Sequence, residues 1–313
     1  MKFRNVKMFA GALVLTAGLL PAGTAVNPQT MLPQNVPMTA KEKKNLDFVL
    51  DWWREVIYAG HLELAPKYQA ENYIQHNPSV PTGRAGFVEF FKKFAKPMNP
   101  IPATMPNMPV VAGAKGDFVW LIFEEEKKHP SMPGKTYYND SLEVLRIENG
   151  KVQEHWDSQM KMPGSGNVVT GVSPKPPMQW NTGKLSKEEE QTLALAKSEF
   201  KDMLQYAHLE IADKTMDPGY IQHNANIPTG RAAFKDYMGK IPGRMAKDAK
   251  PIQEAWITPP DLILVNGPYC LMMTNRKAKD PDDPTRQYTW DHFNVIRVEN
   301  GLIREHWDDF IVK

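Results

Sequence analysis

Glu154-His155-Trp156-Asp157 returns near the C-terminus as Glu305-His306-Trp307-Asp308. The same lead-in precedes both copies: Arg146-Ile147-Glu148-Asn149-Gly150 in one, Arg297-Val298-Glu299-Asn300-Gly301 in the other. Asn-Gly between two apolar runs marks a tight hairpin, because both residues tolerate the positive φ of a type I′ turn. Each copy therefore reads as strand, turn, strand. Side chains alternate along the returning strand, so His155 and Asp157 share one face and Trp156 takes the other. An imidazole and a carboxylate two residues apart on one sheet face form a candidate acid/base pair.

Outward from these hairpins the repetition continues. Thr39 to Glu42 and Ser186 to Glu189 both have the spacing of a capping box, in which two side chains satisfy free N–H groups at a helix start. Leu46, Val49, Leu50, Trp53, Val56 and Ile57 then fall on one helical stripe, as do Leu193, Ala196, Phe200, Met203, Leu204 and Ala207. From His61 to Arg84, 14 of 24 positions are identical to the stretch 147 residues later. At the last hairpin the offset is 151, and the added residues are expected in the Asp- and Pro-rich loop Ala278–Thr285. Strands are expected at Val110–Val111, Phe118–Glu125, Tyr137–Ile147 and Val152–Met160. Helices followed by a run of strands indicate an α+β class. Two long copies indicate a duplicated domain rather than a solenoid.

The expected organisation is a signal peptide at 1–25, a loose arm at 26–38, a first domain at 39–161, a Pro/Gly linker at 162–185 and a second domain at 186–313. Lys2, Arg4 and Lys7 precede an apolar run from Met8 to Leu20, and Gly23-Thr24-Ala25 offers small residues for cleavage. The expected location is periplasmic or secreted. Loss of those three cations would take the formal net charge from +2 to −1, which leaves no basic field for nucleic acid or an anionic membrane. Cys270 is the only cysteine, so no intrachain disulfide is available.

Six of the eight histidines fall into matched pairs: His61 with His208, His76 with His223, His155 with His306. His61 and His208 close a helix and are expected to cap it. A carboxylate in an apolar cavity has its pKa raised, which would suit Asp157 and Asp308 to take and return a proton. His155 and His306 would hold that carboxylate or a carbonyl. The bland reading is a His and an Asp at a strand end bonding each other or backbone. Tyr73, His76 and Asn77, with Tyr220, His223 and Asn224, are candidate ligand contacts at a pocket mouth, or else groups satisfying an irregular segment. Arg84 and Arg231 follow Thr-Gly at a helix start and would bind an anionic ligand group or pair within their own domain. His76, His155 and Asp157 could hold a metal only by converging, and no HxH, HExxH or CxxC spacing supports one; no metal is expected. Phosphate-loop, dinucleotide and nucleophile-elbow motifs are absent from the sequence.

Tyr-Ile-Gln-His-Asn with a following Gly-Arg, then Arg-x-Glu-Asn-Gly and Glu-His-Trp-Asp, resembles the SnoaL-like polyketide cyclase group of the nuclear transport factor 2-like superfamily. The resemblance covers Thr39–Met160 and Ser186–Lys313. It implies two tandem cone-shaped α+β barrels, each a curved antiparallel sheet wrapping N-terminal helices around a mostly apolar pocket. It implies that Asp157 and Asp308 act as acid/base without a cofactor, and that further pocket residues fall near Ser141 and Glu143, or His292 and Asn294. Members of the group dimerise through outer sheet faces, so the two halves would pair within the chain, near Trp156 and Trp307, or the chain would form a homodimer. The implied chemistry is proton transfer beside a carbonyl of a small apolar ligand: aldol-type cyclisation, isomerisation or dehydration. The alternative is a non-catalytic ligand-binding or assembly module.

Overall fold

A computed structural model describes residues 36–165, 183–310 and 312. The expected signal peptide, most of the arm (26–35) and most of the linker (166–182) lie outside the described residues. The first half runs α1 (Ala40–Trp52, continued by a π-helical turn, Trp53–Tyr58), α2 (Ala65–Tyr68), β1 (Gln69–Gln75), α3 (Arg84–Phe91), β2 (Val111–Lys115), β3 (Phe118–Lys128), β4 (Thr136–Glu148) and β5 (Lys151–Asp157). The second half repeats the order: α4 (Lys187–Lys197, then a π-helical turn, Ser198–Met203), α5 (Ala212–Thr215), β6 (Met216–Gln222), α6 (Arg231–Met238), β7 (Leu262–Asn266), β8 (Tyr269–Lys279), β9 (Gln287–Glu299) and β10 (Leu302–Asp308). The class is α+β, with one five-stranded sheet per half.

Strand order is β1-β5-β4-β3-β2, and β6-β10-β9-β8-β7 in the second half. Each sheet is antiparallel except at one edge, where β1 runs parallel to β5 and β6 to β10. The antiparallel sheet that the resemblance implies is formed by four strands of each half, and the parallel edge strand is added to it. A parallel partner must return by a long connection, and its register cannot be read from a turn.

Both capping boxes form. Thr39 N–H donates to Glu42 Oε2 at 2.7 Å and Ser186 N–H to Glu189 Oε2 at 2.8 Å. The Asn-Gly turns form too, with φ of 52° and 67° at Asn149 and Gly150, and 51° and 76° at Asn300 and Gly301. His61 and His208 do not cap the preceding helix. Each bonds a nearby Glu and reaches across to a loop carbonyl, Met98 O and Lys250 O respectively, both at 2.8 Å.

Those two anchors relocate the added residues. The chain between the end of the helix and the anchor spans 92–97 in the first half and 239–249 in the second. By β7 the offset is already 151. The loop at Ala278–Thr285 is therefore no longer than its counterpart, contrary to the expectation from its Asp and Pro content.

Alternation places the cores. Val119, Leu121, Phe123 and Leu145 face inward onto α1 and α3, with Trp52, Trp53 and Phe87. Phe118, Trp120, Ile122, Leu142, Val144 and Trp156 face outward and meet Tyr269, Leu271, Met273, Phe293, Val295 and Trp307 of the other sheet. The two halves thus pair back to back within one chain and share a buried apolar layer. Polar ties flank it: Lys115 Nζ to Glu189 Oε1 at 2.6 Å, and Trp120 Nε1–H to Asn266 Oδ1 at 3.3 Å. The end of the expected arm is seated here as well. Val36 is buried in the shared layer, and Pro37 O accepts from Asn266 Nδ2 at 2.7 Å.

Gly113 on β2 lies under this contact. A Cβ there would sit 2.6 Å from Asn266 Oδ1 and 2.7 Å from the Trp120 ring. Gly113→Ala is expected to destabilise the chain by about 1–3 kcal/mol, the usual cost of overpacking, read as a lower denaturation midpoint.

Candidate active site in the first half

The helix packed against the inner sheet face sets the site. In the π-helical turn, Ala59 N–H reaches back to Arg54 O at 2.9 Å. The wider turn brings two successive residues to the sheet-facing side. Trp52 and Trp53 are both buried, with ring centroids 6.0 Å and 6.3 Å from that of His155.

His155 is held on both nitrogens. Nδ1 lies 3.0 Å from Tyr73 Oη and 3.1 Å from Gln75 Nε2. Gln75 Oε1 accepts from Asn77 N–H at 3.0 Å, which fixes the amide so that its NH2 group faces His155. Nδ1 therefore accepts, and the ring proton sits on Nε2, which donates to Glu143 Oε2 at 2.6 Å. The other Glu143 oxygen lies 3.1 Å from Ser141 Oγ, a hydroxyl that can accept the carboxyl's own proton as well as donate. Asp157 lies beside Glu143 in register across β4 and β5. Both its oxygens accept from Asn77 Nδ2, at 2.9 Å and 2.8 Å, and Oδ1 also accepts from Gln159 N–H at 3.0 Å.

Burial separates the three titrations. Loss of solvent pushes the Glu143 carboxyl up to about 8. The same cause, reinforced by the neighbouring Glu143 charge, lifts Asp157 to about 6. His155 moves down, again by burial, and stays neutral. Two carboxyls pushed apart on either side of neutrality form an acid and a base.

The second half keeps the plan and exchanges the charges. Asn294 replaces Glu143, and Glu199 on the π-helical turn stands where Trp52 stands in the first half. His306 Nδ1 lies 3.0 Å from Glu199 Oε1 and 3.0 Å from Tyr220 Oη, and Nε2 lies 3.2 Å from Asn294 Oδ1. Burial opposes charging His306, but the Glu199 carboxylate outweighs it and the pKa rises. Burial raises Asp308, whose Oδ1 accepts from Asn224 Nδ2 at 2.6 Å. Sequence reading missed Glu199; nothing in a residue-by-residue match signals it, because its partner position is a tryptophan.

The structure therefore gathers Tyr73, Asn77, His155 and Asp157, and likewise Tyr220, Asn224, His306 and Asp308. It does not bring His76 or His223 to them. His76 stacks on Trp156 at 4.5 Å, on the outer face, with Nε2 3.2 Å from Glu154. His223 stacks on Trp307 at 4.4 Å and bridges Glu305 and Glu124, the latter from the other half. Arg84 donates to Gln69 O at 3.2 Å, and Arg231 to Met216 O at 3.0 Å and Asp213 O at 3.1 Å. Both arginines tie the short helix before the edge strand rather than a ligand. Gln75 and Gln222, by contrast, belong to the clusters, and alternation from Tyr73 and Tyr220 points to them.

Among the described residues, Glu143, His155 and Asp157 form a trio with one donor atom each within 4.8 Å of the others. His76 cannot join, being on the other face. A groove of about 280 Å³ opens elsewhere, between α1 and the Asn149–Gly150 turn, lined by Lys41, Asn45, Asp117 and Ile147 among others.

No protein-family model and no curated protein matches the sequence. Solved structures do match. A putative polyketide cyclase from Acidithiobacillus ferrooxidans is 23% identical over 38% of this chain and 89% of its own, with a TM-score of 0.28. A putative SnoaL-like polyketide cyclase from Jannaschia sp. CCS1 is 15% identical over 41% of this chain and 91% of its own, TM-score 0.29. An NTF-2 like protein of unknown function from Burkholderia xenovorans LB400 is 15% identical over 40% and 92%, TM-score 0.26. The chain is similar to SnoaL-like polyketide cyclases and NTF2-like proteins, and its two sheets fit two tandem copies.

Proposed function

We propose that the first half is a cofactor-free acid/base site that moves a proton beside the carbonyl of a small apolar substrate. One observation carries the reading: Asp157 and Glu143 are buried side by side, with pKa values of about 6 and about 8. At neutral pH Asp157 is ionised and serves as base, whereas Glu143 keeps its proton and serves as acid. His155 orients Glu143, and Tyr73 and Gln75 fix its tautomer. The C–H electron pair moves into the carbonyl as Asp157 takes the proton, and Glu143 supplies a proton to the oxygen. The same sequence of steps underlies aldol-type closure, isomerisation and dehydration. The basic start and apolar run at residues 2–20 support export to the periplasm or beyond.

The second half has no acid at Asn294, and its His306 is held by Glu199, which raises the imidazole pKa against burial. It is proposed as a ligand-binding domain. The test is exchange of α-protons in deuterated water, followed by NMR on a panel of small aryl and alkyl ketones. Asp157→Asn and Glu143→Gln should each slow exchange by at least about a hundredfold, the usual worth of a positioned acid or base. The rate should be bell-shaped between about pH 6 and pH 8. Asp308→Asn should leave it unchanged. Equal rates in wild type and both first-half variants would end the enzymatic reading.

A further inference from the structure

We infer that Asn77 is a positioning residue for both members of the first-half acid/base pair: its side chain holds Asp157, and its backbone holds Glu143 through Gln75 and His155. This role rests on the acid/base reading of that site.

Asn77 lies just past β1, immediately before Pro78, and is buried together with Gln75 and Ser79. Proline disfavours the helical region for the residue before it, so the chain leaves the strand without starting a helix at Asn77. It then turns on the Asn77 side chain: Ser79 N–H donates to Asn77 Oδ1 at 2.7 Å, and Val80 N–H to Asn77 O at 3.3 Å. An oxygen engaged by Ser79 leaves the NH2 group to face the sheet, which fixes the amide against a flip. Its Nδ2 lies 2.9 Å and 2.8 Å from the two Asp157 oxygens.

The backbone of the same residue acts on the other member. Asn77 N–H donates to Gln75 Oε1 at 3.0 Å, which turns Gln75 Nε2 toward His155 Nδ1 at 3.1 Å. The His155 proton is thereby kept on Nε2, 2.6 Å from Glu143 Oε2. The second half builds the same clamp. Asn224 N–H donates to Gln222 Oε1 at 3.0 Å, Asn226 N–H to Asn224 Oδ1 at 2.9 Å, and Asn224 Nδ2 to Asp308 Oδ1 at 2.6 Å. Asn294 stands there in place of Glu143, so the side-chain arm belongs to the aspartate itself.

The donors on Asp157, Asn77 Nδ2 and Gln159 N–H, suit a carboxylate better than a carboxylic acid. They work against burial and the Glu143 charge, which favour the protonated form. Asp157 is thus kept available as a base, and once it has taken a proton the same donors favour giving it back. Glu143 on β4, His155 on the same strand, Tyr73 on β1 and Asp291 on β9 are the ionisable groups that act on Asp157 or feel its charge. Trp52, Trp53 and Phe87, packed on the inner face from α1 and α3, bring none.

The test is 13C NMR titration of the Asp157 carboxyl in the full chain, assigned with Asp157→Asn, beside the pH profile of α-proton exchange. Asn77→Asp keeps an oxygen for Ser79 N–H but replaces the donor to Asp157 with an acceptor. A residue that only shaped the turn would tolerate that change, since Asp serves such turns as well as Asn. The Asp157 midpoint should instead rise from about 6 by about 1–2 units, the worth of a lost hydrogen bond to a charged group. Exchange at pH 6 should fall about 5- to 50-fold for the same shift. Asn77→Ser keeps a hydroxyl for the turn, is too short to reach both oxygens, and should raise the midpoint as well. Far-UV dichroism and Tm check that each variant folds. An unmoved midpoint in a folded variant, or failure of both variants to fold, would overturn the role. If the wild type exchanges no substrate, the acid/base reading falls by itself, and the titration still decides whether Asn77 holds Asp157.

Discussion

Trp156→Ala is expected to cost about 3–5 kcal/mol, the range for removing a fully buried tryptophan whose surroundings cannot collapse. Trp156 has none of its surface exposed and lies in the layer shared by the two sheets. On one side the His76 ring stacks on it at 4.5 Å with planes 9° apart; Phe118 lies 6.3 Å away on its own sheet. Neither neighbour can fill the gap. The imidazole is held by Glu154, itself bonded to Arg146, and Phe118 is fixed in the β3 ladder. Trp307 holds the same place in the second half, stacked on His223, and Trp307→Ala should cost a similar amount. The shape of the transition is as informative as its midpoint. Because both sheets own the same apolar layer, each variant should still melt in one cooperative step, with loss of signal from both halves together. Calorimetry that showed the first half melting alone in Trp156→Ala, or a cost below about 1 kcal/mol, would mean that the halves do not depend on one another. Such independence would contradict the shared layer on which the pseudo-dimer rests.

The parts of this architecture that were legible in the sequence are the local ones. Alternation along four residues put His155 and Asp157 inside and Trp156 outside, and Asn-Gly fixed the hairpins, because both signals act over a few ångströms. The same alternation, carried back from Tyr73, would have placed Gln75 inside and His76 outside. The residues alone leave His76 open between a contact at a pocket mouth and a group that satisfies an irregular segment. Its actual place, flat on Trp156, is a packing role. Arg84 and Arg231 take the second of their two readings, a tie within their own domain: Arg84 bonds the Gln69 carbonyl, and Arg231 bonds the Asp213 and Met216 carbonyls with the Asp213 carboxylate 3.8 Å away. Glu199 was beyond reading. The carboxylate beside the pocket histidine comes from the sheet in one half and from the helix in the other, so matching the copies position by position pairs Glu143 with Asn294 and hides the exchange. Only the π-helical turn, which follows from tertiary packing rather than composition, aims residue 199 inward. The added residues were misplaced because Asp and Pro mark a turn without marking its length.

Stability should fall as pH rises from about 6 to 9, by about 3 kcal/mol from His223 alone. Burial works against the charge on His223, but Glu124 at 3.1 Å and Glu305 at 3.2 Å outweigh it and lift the pKa to about 9. A histidine raised from about 6.5 when unfolded gives its full support below 6.5. That support drains away as pH climbs through 9, because the folded state must then surrender a proton the unfolded chain lost earlier. The buried acids act with the same sign. Glu143, lifted to about 8, and Asp157, lifted to about 6, keep protons that the unfolded chain releases near 4, so rising pH favours unfolding from there to about 8. Asp140 and Asp291, matched acids buried beside the shared layer, are raised by burial as well. Two sets of groups oppose this trend. Glu42, Glu154, Glu189 and Glu305 are lowered by their partners, despite burial, and lose that support only as pH falls below about 4.5. His155, depressed by burial, costs stability as pH falls below about 6.5. Above about pH 4.5 the four raised acids outweigh His155, so urea midpoints should peak near about pH 4.5 and decline steadily to pH 9. Because Glu124 reaches His223 from the other half, His223→Gln should lower the midpoint at pH 6 and flatten the profile between 6.5 and 9. A midpoint that stays level over that window in the wild type would mean that the cation bridging the two halves is not there.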